Sequence, residues 1–457
     1  MKTIFKHTLV AAVVLASLAA SAQNTRSGYF VDDYTYRFQL NPAYGNSRGF
    51  VSMPGLGNMN VSVNGNLHLT DVLYNINGKT TTFMNPLVNT NDFINGISDI
   101  SRFNVNTKID ILSVGFKAFG GYNTINIGAR ADVGLHLPKS FFSLMKEGIA
   151  NKTYAIDDLA ARGMAYAQVA LGHSRDITKE WRVGVTAKIL VGGGNVDAKL
   201  HNANLTLGTD AWTVTSDAEI NSSVKGLTYD TDVNEHTGHR YVSGADVDGA
   251  GVGGYGFAVD LGAIYKPSYL PDWTFSVAVL DLGGISWSNN MVASTNGPKT
   301  FTTNDYVFNV DDNAPNSFDN EIDRIRDKFS ALYELEDMGD QGSRSTMLAT
   351  TFNIGAEYTF PLYRRLSFGL LNTTRIYGDY SWTDFRLSAN VAPVKCFDAS
   401  VNVAAGTFGV GFGWLINLHV PGFNLFAGMD HTVTKVAKQF VPLSSNASFN
   451  FGLNFPF

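Results

Sequence analysis

Apolar and polar residues alternate with a period of two along most of the chain, as they do in β-strands whose two faces meet different surroundings. From residue 181 to 191 every odd position is apolar, while the even positions include Arg182, Gly184, Thr186 and Lys188. The same alternation recurs at residues 125–137, 255–265, 348–360, 385–391 and 408–418. The pattern predicts an all-β protein.

The polar faces and the connections between strands distinguish a barrel from a sandwich. The polar faces carry mainly Gly, Asn, Ser and Thr, whereas a soluble sandwich exposes many Lys and Glu side chains. Short turns at residues 120–121, 177–179, 267–272, 361–365 and 421–422 alternate with long segments at 70–106, 138–163, 226–251, 285–345 and 432–445. We therefore predict a transmembrane, antiparallel, up-and-down β-barrel of about 14 strands with short periplasmic turns. The wall has about 16 strands if the hairpin at residues 196–222 belongs to it rather than extending beyond it.

The last strand carries an aromatic pattern of its own. Apolar side chains occupy every second position up to the chain end, at Phe449, Phe451, Leu453, Phe455 and Phe457. In a soluble sheet such an edge strand invites aggregation. The pattern resembles the C-terminal signal by which the barrel-assembly machinery recognises its substrates, so we assign the four phenylalanines to that signal.

Composition narrows the class of protein. Charged residues make up 16% of the chain, against about 25% in soluble globular proteins, and 45 of the 457 residues are glycine. These values disfavour a helical cytosolic enzyme. The hydrophobic share is an ordinary 44%, which disfavours a polytopic helical membrane protein. The net charge of -6 argues against a nucleic-acid partner.

The first 22 residues have the features of a secretory signal peptide. Lys2 and Lys6 precede an apolar run too short to span a bilayer, and Ala20-Ser21-Ala22 is a cleavage site. We expect cleavage between Ala22 and Gln23, a hatch-like N-terminal segment at residues 23–57 and a barrel at residues 58–457 of the outer membrane. Cys396 is the only cysteine, which excludes an internal disulfide and a thiolate metal cluster.

Two of the long segments have helical periodicity. Between residues 317 and 337 the apolar residues recur at intervals of three and four, which predicts an amphipathic helix. A second short helix is expected near residues 141–149. Either the first helix packs across the barrel mouth or it binds a partner.

The motifs that suggest catalysis or metal binding are incomplete. The glycine-rich stretch at 249–254 leads into a strand, whereas a phosphate-binding loop leads into a helix. The acidic stretch at 230–241 lacks the turn glycine and the final glutamate of a calcium loop. His236 and His239 could hold zinc only with ligands from elsewhere. We therefore expect no enzyme activity, no cofactor and no resident metal.

Charged residues on the inward faces are the best candidates for function. Strand parity directs seven of them into the lumen: Arg130, Asp132, Arg182, Lys188, Asp260, Glu357 and Arg386. They either line a pore or hold a plug. Because both signs occur, parity does not distinguish ion selectivity from internal ion pairing.

Two of the long loops are acidic and are expected at the cell surface. The segments 226–251 and 285–345 both carry more acidic than basic residues. Such loops either bridge to lipopolysaccharide through divalent cations or serve only to keep the surface soluble. The expected partners are outer-membrane lipid, lipopolysaccharide and the assembly machinery.

The N-terminal segment carries a family resemblance. Asn41, Pro42 and Ala43 precede the barrel, as an N-P-A sequence does in the hatch of the FadL-like fatty-acid channels and in PorV- and PorP-type secretion barrels. The stretches LNPAYGNSRGFVSMPGLGNMNV, AYAQVALGHSRDI and LDLGGISW look more like an uncharacterised Bacteroidota family of outer-membrane barrels. The resemblance implies a partly plugged channel for passive uptake of small or hydrophobic solutes. The alternative is a non-transporting interaction barrel or an accessory of a secretion machinery.

Deleting Phe457 is expected to reduce the amount of barrel that reaches the outer membrane, because the deletion removes the last aromatic residue of the assembly signal. The measurement is the heat-modifiable band of the outer-membrane fraction on a detergent gel. Truncation of residues 317–337 is the control and should leave that band unchanged. Equal bands with and without Phe457 would contradict the assignment.

Overall fold

The computed structural model describes most of the chain after the predicted signal peptide. The described residues are 25–67, 69–148, 151–208, 212–235, 238–249, 251–302, 332, 334–432 and 446–457. The predicted signal peptide at 1–22 and most of the predicted helix at 317–337 lie outside these residues.

Fourteen antiparallel strand positions form a closed wall, as the alternation predicts. Numbered along the chain, β1 (Phe50–Ser52) and β2 (Asn58–Gly65) share the first position, and β18 (Arg344–Met347) and β19 (Thr350–Thr359) share the eighth. The other twelve are β5 (Ile100–Ala118), β6 (Gly121–Pro138), β8 (Leu159–Asp176), β9 (Trp181–Leu207), β13 (Gly254–Tyr265), β14 (Trp273–Trp287), β20 (Leu366–Ile376), β21 (Trp382–Val394), β22 (Phe397–Gly406), β23 (Gly409–Val420), β24 (Phe423–Met429) and β25 (Ala447–Pro456).

The barrel closes between its last and first strands. β25 pairs with β1 and β2, and both of these pair with β5 on their other side. Closure removes the free sheet edges that a membrane does not tolerate. The predicted N-terminal segment runs to residue 57 and so includes Phe50–Ser52. These residues pair with β5 and β25 and therefore belong to the wall. Their alternation is weak because β1 is only three residues long and is separated from β2 by a turn.

The hairpin at residues 196–222 extends beyond the wall, so the 14-strand prediction holds and the 16-strand alternative is wrong. β9 pairs with β13 up to Gly192, and from Gly194 onward it pairs instead with β10 (Trp212–Val224). At the change of partner, the Trp287 ring occupies the space where a Cβ on Gly192 would lie. The projecting sheet is completed by β7 (Lys152–Ala155), β15 (Met291–Ser294), β16 (Lys299–Thr302) and β17 (Glu336–Asp340).

Small elements occupy the long connections. These are the hairpins β3 (Leu73–Ile76) with β4 (Lys79–Thr82) and β11 (Leu227–Val233) with β12 (Arg240–Val247), and the helices α1 (Leu69–Val72), α2 (Thr90–Gly96) and α3 (Lys139–Glu147). The helix α3 confirms the prediction near residue 141. Glu336 and Asp337 lie in β17 instead of the predicted helix, because they pair with β15. Among the described residues, no helix is both long enough and apolar enough to cross a bilayer.

The two faces of the wall differ as the alternation requires. On β21 the side chain of Leu387 is 63% exposed on the outer surface, whereas its neighbour Arg386 is 1% exposed and points inward. Exposed Val, Leu, Ile and Phe side chains continue this pattern on neighbouring strands. An apolar outer band of this kind is the surface of a transmembrane barrel.

The two ends of the barrel also differ. The turns between β5 and β6, β8 and β9, β13 and β14, β19 and β20, β21 and β22, and β23 and β24 lie at one end, here named the short-turn end. The projecting sheet lies at the other, the long-loop end, together with the short connections at residues 377–381 and 407–408. The wall begins and finishes at the short-turn end, where the Phe457 amide donates to the Gly49 carbonyl. The outward faces of the last strand hold Phe449, Phe455 and Phe457 in exposed positions, and Phe451 in a half-buried one.

Replacing Leu387 with Arg should lower the free energy of unfolding in lipid by about 2–4 kcal/mol, because it places a charge on the lipid-facing surface near the middle of β21. The matched control is Val233→Arg, the same kind of change in the projecting hairpin β11, which should cost far less. Denaturant titration of both variants in liposomes measures the difference. Equal losses of unfolding free energy in the two variants would mean that the apolar band does not lie in the bilayer.

Candidate functional site

The lumen is occupied by residues 25–49, which we name the plug. Two short 3-10 helices, Arg26–Gly28 and Thr35–Gln39, shape the plug, and its internal backbone bonds are mainly local turns. Its side chains build an apolar centre with the wall residues Ile264, Leu371, Leu415 and Phe426. The plug side chains of this centre are Tyr29, Phe30, Val31, Tyr34, Tyr36, Phe38, Leu40, Ala43 and Tyr44.

The plug is attached to the wall through side chains. Among the described residues, Gly49 is the only plug residue that shares a backbone-to-backbone hydrogen bond with a residue outside the plug. Elsewhere wall side chains reach plug carbonyls: Asn353 Nδ2 donates to Leu40 O at 2.8 Å and Asn417 Nδ2 to Asp33 O at 3.1 Å. The plug is thus a separate body inside the barrel and adds no strand to its wall.

The N-P-A turn lies against β9, β13 and β14. Asn41 closes the turn by accepting from the Ala43 amide at 2.9 Å, and its own amide donates to the Val277 carbonyl at 3.2 Å. A Cβ at Gly184 would lie 2.1 Å from the Pro42 carbonyl oxygen. Glycine is therefore required there for the plug backbone to approach the wall.

A charged anchor holds the first residues of the plug near the long-loop end. Asp430 accepts from the Arg26 amide at 2.9 Å and from the Ser27 amide at 2.7 Å, and its carboxylate also accepts from the Ser27 hydroxyl at 2.7 Å. The Arg26 guanidinium pairs with Asp384 at 2.9 Å. Arg386 binds the same carboxylate of Asp384 at 3.2 Å and the carbonyl of Asp430.

A second charged cluster lies on the wall in the middle of the lumen. Lys188 Nζ is 2.6 Å from carboxylate oxygens of both Asp260 and Asp281, and Arg130 Nη1 is 2.7 Å from Asp281. Nearby, Arg375 pairs with Asp132 at 2.9 Å. These inward charges are therefore paired with one another, which favours internal ion pairing over ion selectivity for this part of the lumen.

The remaining two predicted lumen residues face the plug near the short-turn end. Arg182 Nε donates to the Ala43 carbonyl at 2.7 Å and Arg182 also pairs with Asp176. Glu357 lines the same cavity as the plug residue Arg37. The structure thus places all seven predicted residues on the inside of the barrel, in three separate groups.

Parity alone does not find Asp281, although it joins the central cluster. Leu280 and Asp281 together lie opposite the single residue Asp260, which is a β-bulge. The bulge gives Asp281 a φ of 59°, in the left-handed region, and turns its side chain inward beside the buried Leu280. The anchor residues Arg26, Asp384 and Asp430 are equally invisible to periodicity, because their partners are distant in sequence.

The plug lies between two cavities. A cavity of about 70 Å³ on its inner side is lined by charged residues that include Arg26, Lys108, Arg130, Asp281 and Arg375. At the short-turn end a vestibule of about 840 Å³ is lined by the other side of the plug. Plug residues therefore line both cavities: Arg26, Gln39 and Leu40 the first, and Asp32, Asp33, Arg37 and Tyr44 the second.

Comparison with known proteins identifies a family and several structures of similar shape. A family model described as a family of unknown function, DUF5723, matches residues 42–430. The chain is similar to the toluene transporter TbuX of Ralstonia pickettii, with 9% identity over 96% of this chain and 97% of that chain and a TM-score of 0.43. It is also similar to a FadL homologue of Pseudomonas aeruginosa, with 8% identity over 96% and 98% and a TM-score of 0.40.

A third similar structure is a deletion mutant of TodX described as a monoaromatic hydrocarbon channel, with 8% identity over 96% and 95% of the two chains and a TM-score of 0.43. No curated protein matches the sequence. The strand pairing described above, rather than these similarities, establishes the barrel.

Replacing Lys188 with Met should lower the free energy of unfolding by about 3–5 kcal/mol, because it leaves the buried Asp260 carboxylate without its cation, while Asp281 keeps Arg130. The matched control is Lys299→Met, which removes a half-exposed cation near Glu336 and should cost less than about 1 kcal/mol. Urea titration of both variants in the same liposomes measures the two costs. A cost for Lys188→Met no larger than the control would mean that the central cluster does not stabilise the barrel.

Proposed function

We propose that this chain, which belongs to the DUF5723 family of unknown function, is an outer-membrane channel that the plug closes and that opens when the plug moves. The barrel supplies the wall of the channel. The apolar outer band supports its place in a membrane, and the two cavities on either side of the plug support its role as a pathway for solutes.

The observation that carries this proposal is the way in which the plug is held. A strand ladder would have to break as a unit, whereas the plug is held by separate side-chain hydrogen bonds, ion pairs and apolar contacts. Each hydrogen bond contributes about 0.5–1.5 kcal/mol net, and water can replace it when the plug shifts. The wall strands keep all their own hydrogen bonds during such a movement.

The inner wall favours a water-filled pathway. Asn60, Ser62, Asn402 and Asn450 are among the many inward side chains that carry amides or hydroxyls. Several buried polar atoms, including Asn60 Oδ1 and Asn402 Nδ2, have no hydrogen-bond partner among the described residues. A polar wall of this kind interacts well with water and polar solutes.

The charges beside the inner cavity narrow the class of solute. An apolar solute in this cavity would lie against Lys108, Arg130 and Arg375 without accepting a hydrogen bond from them. We therefore propose small polar solutes as the cargo, in preference to the hydrophobic solutes that the family resemblance also implies. The similar structures are described as a monoaromatic hydrocarbon channel and a toluene transporter, and these solutes are those of the other proteins.

Replacing Asp430 with Ala is the test of the plug as a gate. It removes the acceptor for the Arg26 amide and for two donors of Ser27, so the anchored end of the plug should detach. We expect conductance in planar bilayers and the swelling rate of liposomes in a pentose to rise several-fold over wild type. The increase in pentose permeability over wild type should exceed the increase in toluene permeability.

The control is Asp340→Ala, which removes a carboxylate that accepts from the Asn290 and Gly342 amides in the projecting loops. It should behave as wild type. A variant that lacks residues 25–45 is a second test that does not depend on one side chain. If both plug variants fold into heat-modifiable barrels and neither conducts nor admits solutes, the proposal of a channel is wrong. The non-transporting interaction barrel then becomes the better hypothesis.

A further inference from the structure

Three metal-ligating side chains meet at the short-turn end, where the plug touches the wall. They are Asp33 of the plug, Asp398 of β22 and His419 of β23. One ligand atom from each lies within 4.8 Å of the others. His419 Nε2 is 3.0 Å from Asp398 Oδ2 and 3.8 Å from Asp33 Oδ2. Ligand atoms that each lie about 2.0–2.2 Å from a common ion have separations in this range.

His419 presents the same ring nitrogen to both carboxylates. Its Nε2 atom is enclosed and lies 3.0 Å from Asp398 Oδ2 and 3.8 Å from Asp33 Oδ2. A neutral imidazole nitrogen in this position can bind an ion that the two carboxylates also bind.

A buried amide holds the ligands in place. Asn417 is fully buried, and its Nδ2 donates to Asp398 Oδ2 at 3.0 Å and to the Asp33 carbonyl at 3.1 Å. The Oδ1 atom of the same amide has no partner among the described residues. Hydrogen bonds of this kind orient metal ligands. The unpartnered Asn417 Oδ1 is one more oxygen available to a bound ion.

The charges of the cluster also call for a cation. Within the described part of the chain, the ion-pair partner of both Asp33 and Asp398 is His419, so two carboxylates share a single ring nitrogen. Asp398 is almost fully buried, and a buried carboxylate needs a counter-charge. The side chain of Asp33 is 46% exposed, and a cavity of about 160 Å³ reaches both carboxylates, so an ion can enter.

We propose that Asp33, Asp398 and His419 bind one divalent transition-metal ion of the zinc class. An imidazole nitrogen with carboxylate oxygens suits zinc, whereas calcium takes oxygen ligands only. The ion has one ligand on the plug and two on the wall. Binding therefore joins the plug to the barrel at the end opposite to the Arg26–Asp430 anchor.

Because the ion joins the plug to the wall, it acts as a latch, meaning a contact that keeps the plug in place. The role of latch rests on the proposed function, whereas the binding site does not. A plug tied to β22 and β23 through an ion moves only when the ion leaves or Asp33 is released. Zinc is expected to keep the channel closed, and its removal is expected to favour opening.

Titration calorimetry with Zn²⁺ alone tests the site, on full-length protein in detergent that has been stripped with a chelator. We expect one ion per chain, and a loss of affinity of about tenfold or more in Asp33→Asn and in His419→Gln. The matched controls are Asp176→Asn and His173→Gln, a carboxylate and an imidazole near the same end that should bind as wild type. Heat modifiability shows that every variant is folded.

Equal zinc affinity in wild type, Asp33→Asn and His419→Gln would overturn the site. Conductance then tests the latch: a chelator should raise the conductance of wild type, Zn²⁺ should restore the closed level, and His419→Gln should respond to neither. Zinc binding with no effect on the conductance of an otherwise active channel would overturn the latch. If even the variant without residues 25–45 does not conduct, the proposed channel fails, while the calorimetric result on the site still stands.

Discussion

Every backbone amide and carbonyl of a sheet in a membrane must find its partner within the sheet, and this constraint governs the whole molecule. It is met by the pairing of β25 with β1 and β2, which closes the wall. Because β1 follows the plug directly, closure also fixes where the plug enters the lumen. The position of Gly49, bonded to Phe457, is therefore set by the same event that completes the barrel.

Closure creates an interior that is polar and enclosed at once. Charges there must be paired, because an unpaired buried charge costs several kcal/mol. The structure meets this need in two ways: wall residues pair with each other around Lys188, and wall carboxylates pair with the plug at Arg26. The second way makes the plug part of the electrostatic balance of the barrel, so its position is specific although no strand ladder holds it.

The contrast between wall and plug connects structure with function. The wall owes its stability to continuous strand pairing, whereas the plug is held by separate side-chain contacts along its length and by its apolar centre. Arg26 and Ser27 are bound at the long-loop end, and Arg182 and Asn417 reach the plug backbone at the other end. A body that is anchored at separate points can be released one point at a time, which suits a gate better than a permanent filler.

Local alternation was sufficient to predict the wall, because the two-residue repeat of a strand records which face meets lipid. It predicted about 14 strands with 16 left open, it indicated the alternation of short turns with long loops over most of the barrel, and it directed residues such as Arg386 inward. It did not predict that the hairpin after residue 196 leaves the wall, since the partner exchange at Gly192 depends on Trp287 from another strand. The bulge at Asp281 and the meeting of Asp33, Asp398 and His419 likewise depend on closure, which brings together segments that no short-range pattern relates. Periodicity therefore reports the environment of each residue, while the closed barrel decides which residues meet.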